Sequence, residues 1–233
     1  MIEKKTAVVT GGTKGIGRAI VNIFLENGFE VFTCARSQQD LEALLKESNS
    51  SNLHVLQADM SDKIQVKLFA TFVLGKVSHV DVLVNNTGRF VPGTIQEEEE
   101  GTLEELMSTN VYSAYYLSRG LMESIKRSTK GHIFNICSTA SITAYTNGGS
   151  YCITKFAMYG MSKVLREELK TDGVRVTSIL PGATLTASWE GVDLPADRFM
   201  KPEDVAETVW GSYNLSAHSV IEDVLIRPQL GDL

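Results

Sequence analysis

Tyr151 and Lys155 stand four residues apart in Tyr151-Cys152-Ile153-Thr154-Lys155, a spacing that puts both side chains on one face of a helix. A phenol is a reluctant acid with an ordinary pKa near 10, and an ammonium close by favours its charged form and draws that value down. Such a pair suits proton donation to an oxygen on which negative charge is building, the situation in carbonyl reduction by hydride transfer. Tyr159 and Lys163 repeat the pattern, so spacing alone does not choose. Position favours Tyr151, which opens its predicted helix where loops and strand ends gather. Tyr159 lies roughly 12 Å further along at 1.5 Å per residue and reads as a packing or subunit-contact residue. Ser138 and Ser141 are the hydroxyls nearby in sequence that can hold the reacting oxygen.

A second constellation is Thr10-Gly11-Gly12-Thr13-Lys14-Gly15-Ile16-Gly17-Arg18, between a strand-like run and a helix. Glycines there allow a tight turn, let backbone N–H groups approach a pyrophosphate and let the helix pack closely on a sheet. The helix N-terminus then faces the negative charge. In dinucleotide sites an acid at the end of the second strand takes a ribose hydroxyl, whereas an Arg there accommodates a 2′-phosphate. This chain has Thr33-Cys34-Ala35-Arg36-Ser37 at that place. Arg36, with Lys14 as a second cation, suits a phosphate dianion and predicts NADPH rather than NADH.

The elements that must position these residues alternate along the chain. Strands are predicted over 6–10, 29–34, 53–58, 80–85, 131–138, 174–180 and 220–226. Helices are predicted near 16–27, 38–47, 61–76, 102–127 and 150–170, with a last one starting at Lys201-Pro202-Glu203-Asp204. The pattern predicts an α/β fold, a doubly wound parallel sheet of about seven strands with helices on both faces, as one domain over 1–233. Two irregular stretches, 87–101 and 182–201, leave the carboxyl ends of strands, where such sheets bind ligands. Within the first, Glu97–Glu100 reads as a solvated loop leading into a helix N-terminus, where acids are favoured, with substrate contact as the alternative. Within the second, Trp189, Leu194, Phe199 and Met200 are the apolar members of a short lid.

The chain has 233 residues, 43% hydrophobic and 21% charged, with a formal net charge of -6. That balance argues against a nucleic-acid or anionic-membrane partner. The sequence shows no signal-peptide pattern and no long apolar run, so a cytoplasmic location is expected. The three cysteines, Cys34, Cys137 and Cys152, have no metal-ligand spacing and read as buried thiols; no metal site is expected.

Taken together, Thr10-Gly11-x-x-x-Gly15-x-Gly17, Asp59, Asn85-Asn86-Thr87-Gly88, Asn110, Ser138, Tyr151-x-x-x-Lys155 and Pro181-Gly182 occur in the order found in the short-chain dehydrogenase/reductase family, which the chain resembles over nearly its whole length. The resemblance implies that Ser138 and Tyr151 bind the substrate oxygen and that Tyr151 donates the proton. Lys155 would hold the nicotinamide ribose, and Asn110 would sit in a buried water relay. It also favours Ser138 over Ser141. For the cofactor it implies contacts from Gly11, Thr13, Lys14, Gly15, Ile16, Gly17, Arg36, Ser37, Asp59, Asn86, Gly88, Tyr151, Lys155, Pro181, Gly182 and Thr184. Thr87 departs from the family, which usually has Ala there. The implied activity is reduction of a small carbonyl compound to an alcohol by a homodimer or homotetramer. A general carbonyl or pteridine-type reductase, a 3-oxoacyl carrier-protein reductase and a non-catalytic NADPH-binding sensor are the readings it leaves open.

Overall fold

In the computed structural model, which describes residues 4–186, 191 and 194–232, seven strands form one sheet. They are β1 (Thr6–Thr10), β2 (Glu30–Ala35), β3 (Leu53–Gln57), β4 (Val82–Asn85), β5 (His132–Ile136), β6 (Arg175–Pro181) and β7 (Asp223–Ile226). Their order is β3-β2-β1-β4-β5-β6-β7, and every neighbouring pair is parallel. The order reverses at β1, between β2 and β4, and the crevice at such a switch point is where an open α/β sheet receives a ligand.

Among the described residues seven α-helices cover the sheet: α1 (Gly15–Glu26), α2 (Gln38–Ser48), α3 (Lys63–Leu74), α4 (Thr102–Met107), α5 (Ser113–Lys126), α6 (Gly149–Leu169) and α7 (Pro202–Asn214). Strand side chains alternate between two cores, as the pleat demands. Ala7, Val9, Val82, Val84 and Phe134 pack with Ile20, Phe24 and Leu44 of α1 and α2 and with Val205, Val209 and Tyr213 of α7. Val8, Leu83, Ile133 and Val176 face the other way, onto Phe69 and Val73 of α3, Leu117, Leu121 and Ile125 of α5, and Leu169 of α6. Fully burying one such side chain contributes about 1.5–3 kcal/mol. A polar seam crosses the second core: Asn85 donates to Ser118 Oγ (3.0 Å) and Asn135 Oδ1 (2.8 Å), and Asn135 donates to Ser162 Oγ (2.8 Å). These bonds lock α5 and α6 to the sheet in one register.

The expected class and the alternation of strands and helices hold with small shifts of element ends, and three differences change the local structure. The single helix expected over 102–127 is α4 and α5 joined by a π-turn at Ser108–Tyr112. Strand β5 stops at Ile136, because Ser138 and Ser141 cap a short 3-10 turn, Thr139–Ser141, that bends the chain toward α6. β7 starts at Asp223 rather than Val220. Among the described residues no helix is long and apolar enough to cross a membrane, and no cluster of metal-ligating side chains occurs.

Candidate active site

At the carboxyl end of β1 the backbone turns through Gly11 (φ 66°) and Gly15 (φ 53°) into α1, left-handed conformations that glycine adopts without penalty. Gly17 has a different reason to be glycine. A Cβ there would lie 2.2 Å from the Gly11 carbonyl oxygen and 2.4 Å from Asn86 Nδ2. The loop is closed from below: Gly12 N–H donates to Thr33 Oγ1 (3.1 Å), and Asn86 Nδ2 donates to the Thr10 carbonyl (2.8 Å). Ile16 packs on the core, and Thr13 is half-buried on the loop. The result is a concave backbone cradle at a helix N-terminus, with no side chain filling it from Gly11, Gly15 or Gly17.

The two expected phosphate cations are not equivalent. Lys14 Nζ is paired with Asp40 at 2.8 Å and Arg18 with Glu47 at 3.0 Å, whereas exposed Arg36 enters no ion pair among the described residues. Lys14 is thus less free for a phosphate than expected, because Asp40 in the first turn of α2 competes for it. Ser37 caps α2, its Oγ accepting from Asp40 N–H at 3.1 Å. Asp59 accepts from Ser61 N–H (2.9 Å) and Oγ (2.8 Å), which fixes the turn after β3. At the end of β4, Thr87 N–H donates to Thr10 Oγ1 (2.9 Å), while the buried Thr87 Oγ1 has no partner. That orphaned hydroxyl borders Gly11, whose Cβ would lie 3.2 Å from it.

The π-turn presents Asn110 inward, 1% exposed. Its Oδ1 accepts from Arg89 N–H (2.7 Å), and its amide donates to the Arg89 carbonyl (3.0 Å) and Thr154 Oγ1 (3.0 Å). Thr154 in turn donates to the Tyr151 carbonyl (2.7 Å). Asn110 therefore ties the loop after β4 to the first turns of α6. The extra residue of a π-turn re-aims a side chain locally, and such turns are frequent at functional sites. Gly88 lies between Asn110 and Lys155: its Cβ would be 3.5 Å from Asn110 Oδ1 and 3.6 Å from Lys155 Nζ.

Lys155 is buried, and its Nζ donates to the Ile136 carbonyl (3.0 Å) while lying 5.7 Å from the centre of the Tyr151 ring. Burial pushes this ammonium down from its ordinary value. It also pushes the Tyr151 phenol up to about 12, against the opposing pull of the adjacent Ser138 hydroxyl. The expected lowering of Tyr151 by Lys155 is thus absent from the protein alone, since the cation sits over the ring and against a carbonyl. At neutral pH the phenol carries its proton. Ser141, fully buried, accepts from Ser138 N–H at 3.2 Å and shapes the turn that presents Ser138. Tyr159 and Lys163 go elsewhere: both meet Asp223 at the start of β7, at 3.1 and 3.4 Å.

Beyond β6, Gly182 N–H donates to the Ile226 carbonyl (2.8 Å), and Thr184 Oγ1 donates to the Gly182 carbonyl (3.1 Å). A Cβ on Gly15 would meet Thr186 Cγ2 at 3.0 Å, so the segment following Pro181 lies over the glycine loop. Of the expected lid residues, Phe199 and Met200 are buried, Leu194 is exposed, and Trp189 falls outside the described residues. Two aromatic neighbours of Tyr151 escaped the sequence reading. Phe90 packs edge-on against its ring (4.9 Å between centroids), and Tyr145 lines a cleft with Cys152, Ile153 and Phe156 at the start of α6. Neither belongs to a spacing pattern; Phe90 falls in the irregular stretch after β4 that the sequence marks, whereas Tyr145, between β5 and α6, falls in neither marked stretch.

The short chain dehydrogenase family model matches residues 5–195, and the chain belongs to that family of oxidoreductases. It is 32% identical to a sepiapterin reductase of Chlorobaculum tepidum, an alignment covering 99% of this chain and 98% of that protein. Among solved structures it is similar to an alcohol dehydrogenase of the archaeon Thermococcus sibiricus complexed with 5-hydroxy-NADP (TM-score 0.91, 27% identity, 99% of both chains). It is also similar to a metagenomic short-chain oxidoreductase in complex with NADP (TM-score 0.84, 29% identity, 97% of both chains).

Proposed function

We propose that this protein is an NADPH-dependent reductase of a small carbonyl compound, with Tyr151 as the proton donor. The observation that carries the reading is the convergence, at the carboxyl end of the central strands, of a protonated phenol, the Ser138 hydroxyl and the buried Lys155 ammonium, with the glycine cradle at the same end of the sheet. NADPH, when bound, supplies a hydride to the carbonyl carbon. Gly11, Thr13, Gly15, Ile16 and Gly17 would take its pyrophosphate and Arg36 its 2′-phosphate, with Ser37 and Lys14 at the rim. Asp59, Asn86 and Gly88 would line the adenosine side, and Pro181, Gly182 and Thr184 the nicotinamide side. NADP in the similar structures supports the choice of cofactor.

Ser138 and Tyr151 donate to the substrate oxygen and stabilise the charge that develops there, and Tyr151 then releases its proton to it. Lys155, held by the Ile136 carbonyl 5.7 Å from the ring centre, would take the nicotinamide ribose beside Tyr151. Asn110 holds the loop and α6 in the arrangement that keeps these groups together. Phe90, against the Tyr151 ring, and Tyr145, in the cleft beside the start of α6, are aromatic walls near the site, which together with the sepiapterin reductase relative favours a pteridine ketone as substrate. Exposed Tyr112, Tyr115, Ile153 and Phe156 on the helices flanking the site support assembly as a homodimer or homotetramer.

Nucleotide fluorescence titration with NADPH and NADH tests the reading, followed by turnover of sepiapterin. Preference for NADPH and consumption of the ketone are expected. Binding of neither nucleotide would favour a non-catalytic role.

A further inference from the structure

The helix that carries Tyr151 has no side-chain cap from its own N-cap residue. Its N-cap residue is Gly148, which has no side chain to offer, and Gly149 follows. The first N–H groups of a helix have no intrahelical partner and require one from elsewhere. Here the partner comes from far upstream: Glu98 Oε1 accepts from Ser150 N–H at 2.8 Å, and Glu98 Oε2 accepts from Ser150 Oγ. The glycines make room for it. A Cβ on Gly149 would lie 2.1 Å from Glu98 Oε1, and one on Gly93 would lie 2.8 Å from Glu98 Cγ. The same loop is fastened again where Gly93 N–H donates to the Asn147 carbonyl (3.0 Å), and it carries Phe90, which packs on the Tyr151 ring. Glu97, Glu99 and Glu100 are exposed, so only one acid of the run turns inward.

We propose that Glu98 is a positioning residue for Tyr151: its carboxylate caps α6 one residue before the phenol and thereby fixes the proton donor against the loop that walls the substrate mouth. The inference rests on Tyr151 being the proton donor. A group displaced by about 1 Å from its productive geometry can lose roughly 10²-fold in rate, and the cofactor cradle, built on β1 and α1, does not share this contact.

The test combines hydrogen exchange of the amides of residues 148–155 with sepiapterin turnover and NADPH titration, on the full chain. Glu98→Ala should lose exchange protection at the start of α6 and about 10- to 100-fold in kcat, with NADPH affinity kept. Gly149→Ala, which would displace the carboxylate, should behave alike. Glu98→Gln, whose amide oxygen can still accept from Ser150 N–H, should recover most of both. Unchanged protection in Glu98→Ala would overturn the inference whatever the substrate. So would wild-type kcat in that variant, or a loss of NADPH affinity in step with kcat that Glu98→Gln does not rescue. Failure of the underlying reading looks different: Tyr151→Phe would turn over as fast as the wild type.

Discussion

The two ends of the same strands are built for different purposes. At the amino end polar groups close on one another. Asp81, before β4, accepts from Thr6 N–H (2.7 Å) and Ser128 Oγ (2.6 Å). Arg175, opening β6, donates to the Tyr213 carbonyl at the end of α7 (3.2 Å). His132, opening β5, is fully buried, stacked on Phe134 and bonded to Thr177 Oγ1 (2.7 Å). Positive-φ glycines and buried polar atoms without a partner occur at both ends, Gly28 and His132 Nδ1 at the amino end and Gly11 and Thr87 Oγ1 at the carboxyl end. Only the carboxyl end has a glycine loop that no side chain fills and an exposed arginine, Arg36, outside any ion pair among the described residues. Both ends hold unusual polar groups in a parallel sheet. Only at the carboxyl end do they converge on a concave backbone surface with capacity left for a ligand.

The comparison predicts a separation of effects. Changes at the carboxyl end should move binding and turnover, and changes at the amino end should move stability. The largest expected shift is for Arg36→Asp, which removes charged hydrogen bonds worth about 1.5–3 kcal/mol each and adds a repulsion. NADPH affinity should drop while the unfolding midpoint stays put; unchanged affinity in the titration would break the assignment. At the other end, Asp81→Ala leaves the Thr6 N–H buried without an acceptor, a cost of about 1–3 kcal/mol. Denaturant unfolding should show that loss, with kcat at permissive temperature unchanged.

The smallest effect is on pH dependence. Burial, with Arg175 and Lys130 adding to it, holds His132 well below its ordinary value of 6.5. Below that pH the unfolded chain binds a proton that the folded one refuses, so stability falls as pH falls, by at most about 1.4 kcal/mol per unit from this group. His132→Gln should flatten the slope between pH 6.5 and 5. A slope equal to the wild type's would show that His132 does not carry it.

What was legible in the sequence divides along the same line. Strand and helix alternation, the glycine loop and Tyr151-x-x-x-Lys155 are local patterns, and the fold returns them nearly in place. Asn110 was legible as a polar residue in a helix, but the π-turn that aims it inward was not, because a π-turn has no local signature in Ser108-Thr109-Asn110-Val111. Lys14 was read as a second phosphate cation, and its competitor, Asp40, was not foreseen because it belongs to another helix. The direction of the Tyr151 shift was missed for a related reason. The i, i+4 spacing places two side chains on one face but does not say that the ammonium will find the Ile136 carbonyl or how deeply the phenol is buried. Glu98 was hidden in a run of four glutamates, and only the packing of two glycine sites distinguishes it.

The most direct measurement is single-turnover oxidation of NADPH by the wild type and by Tyr151→Phe, with sepiapterin as acceptor and NADPH affinity measured alongside. If Tyr151 is the proton donor, the rate falls by about 10²–10⁴, the usual weight of general acid catalysis, while NADPH binds as before. Near-normal turnover in Tyr151→Phe would contradict the account and return the proton to another group at the same end of the sheet.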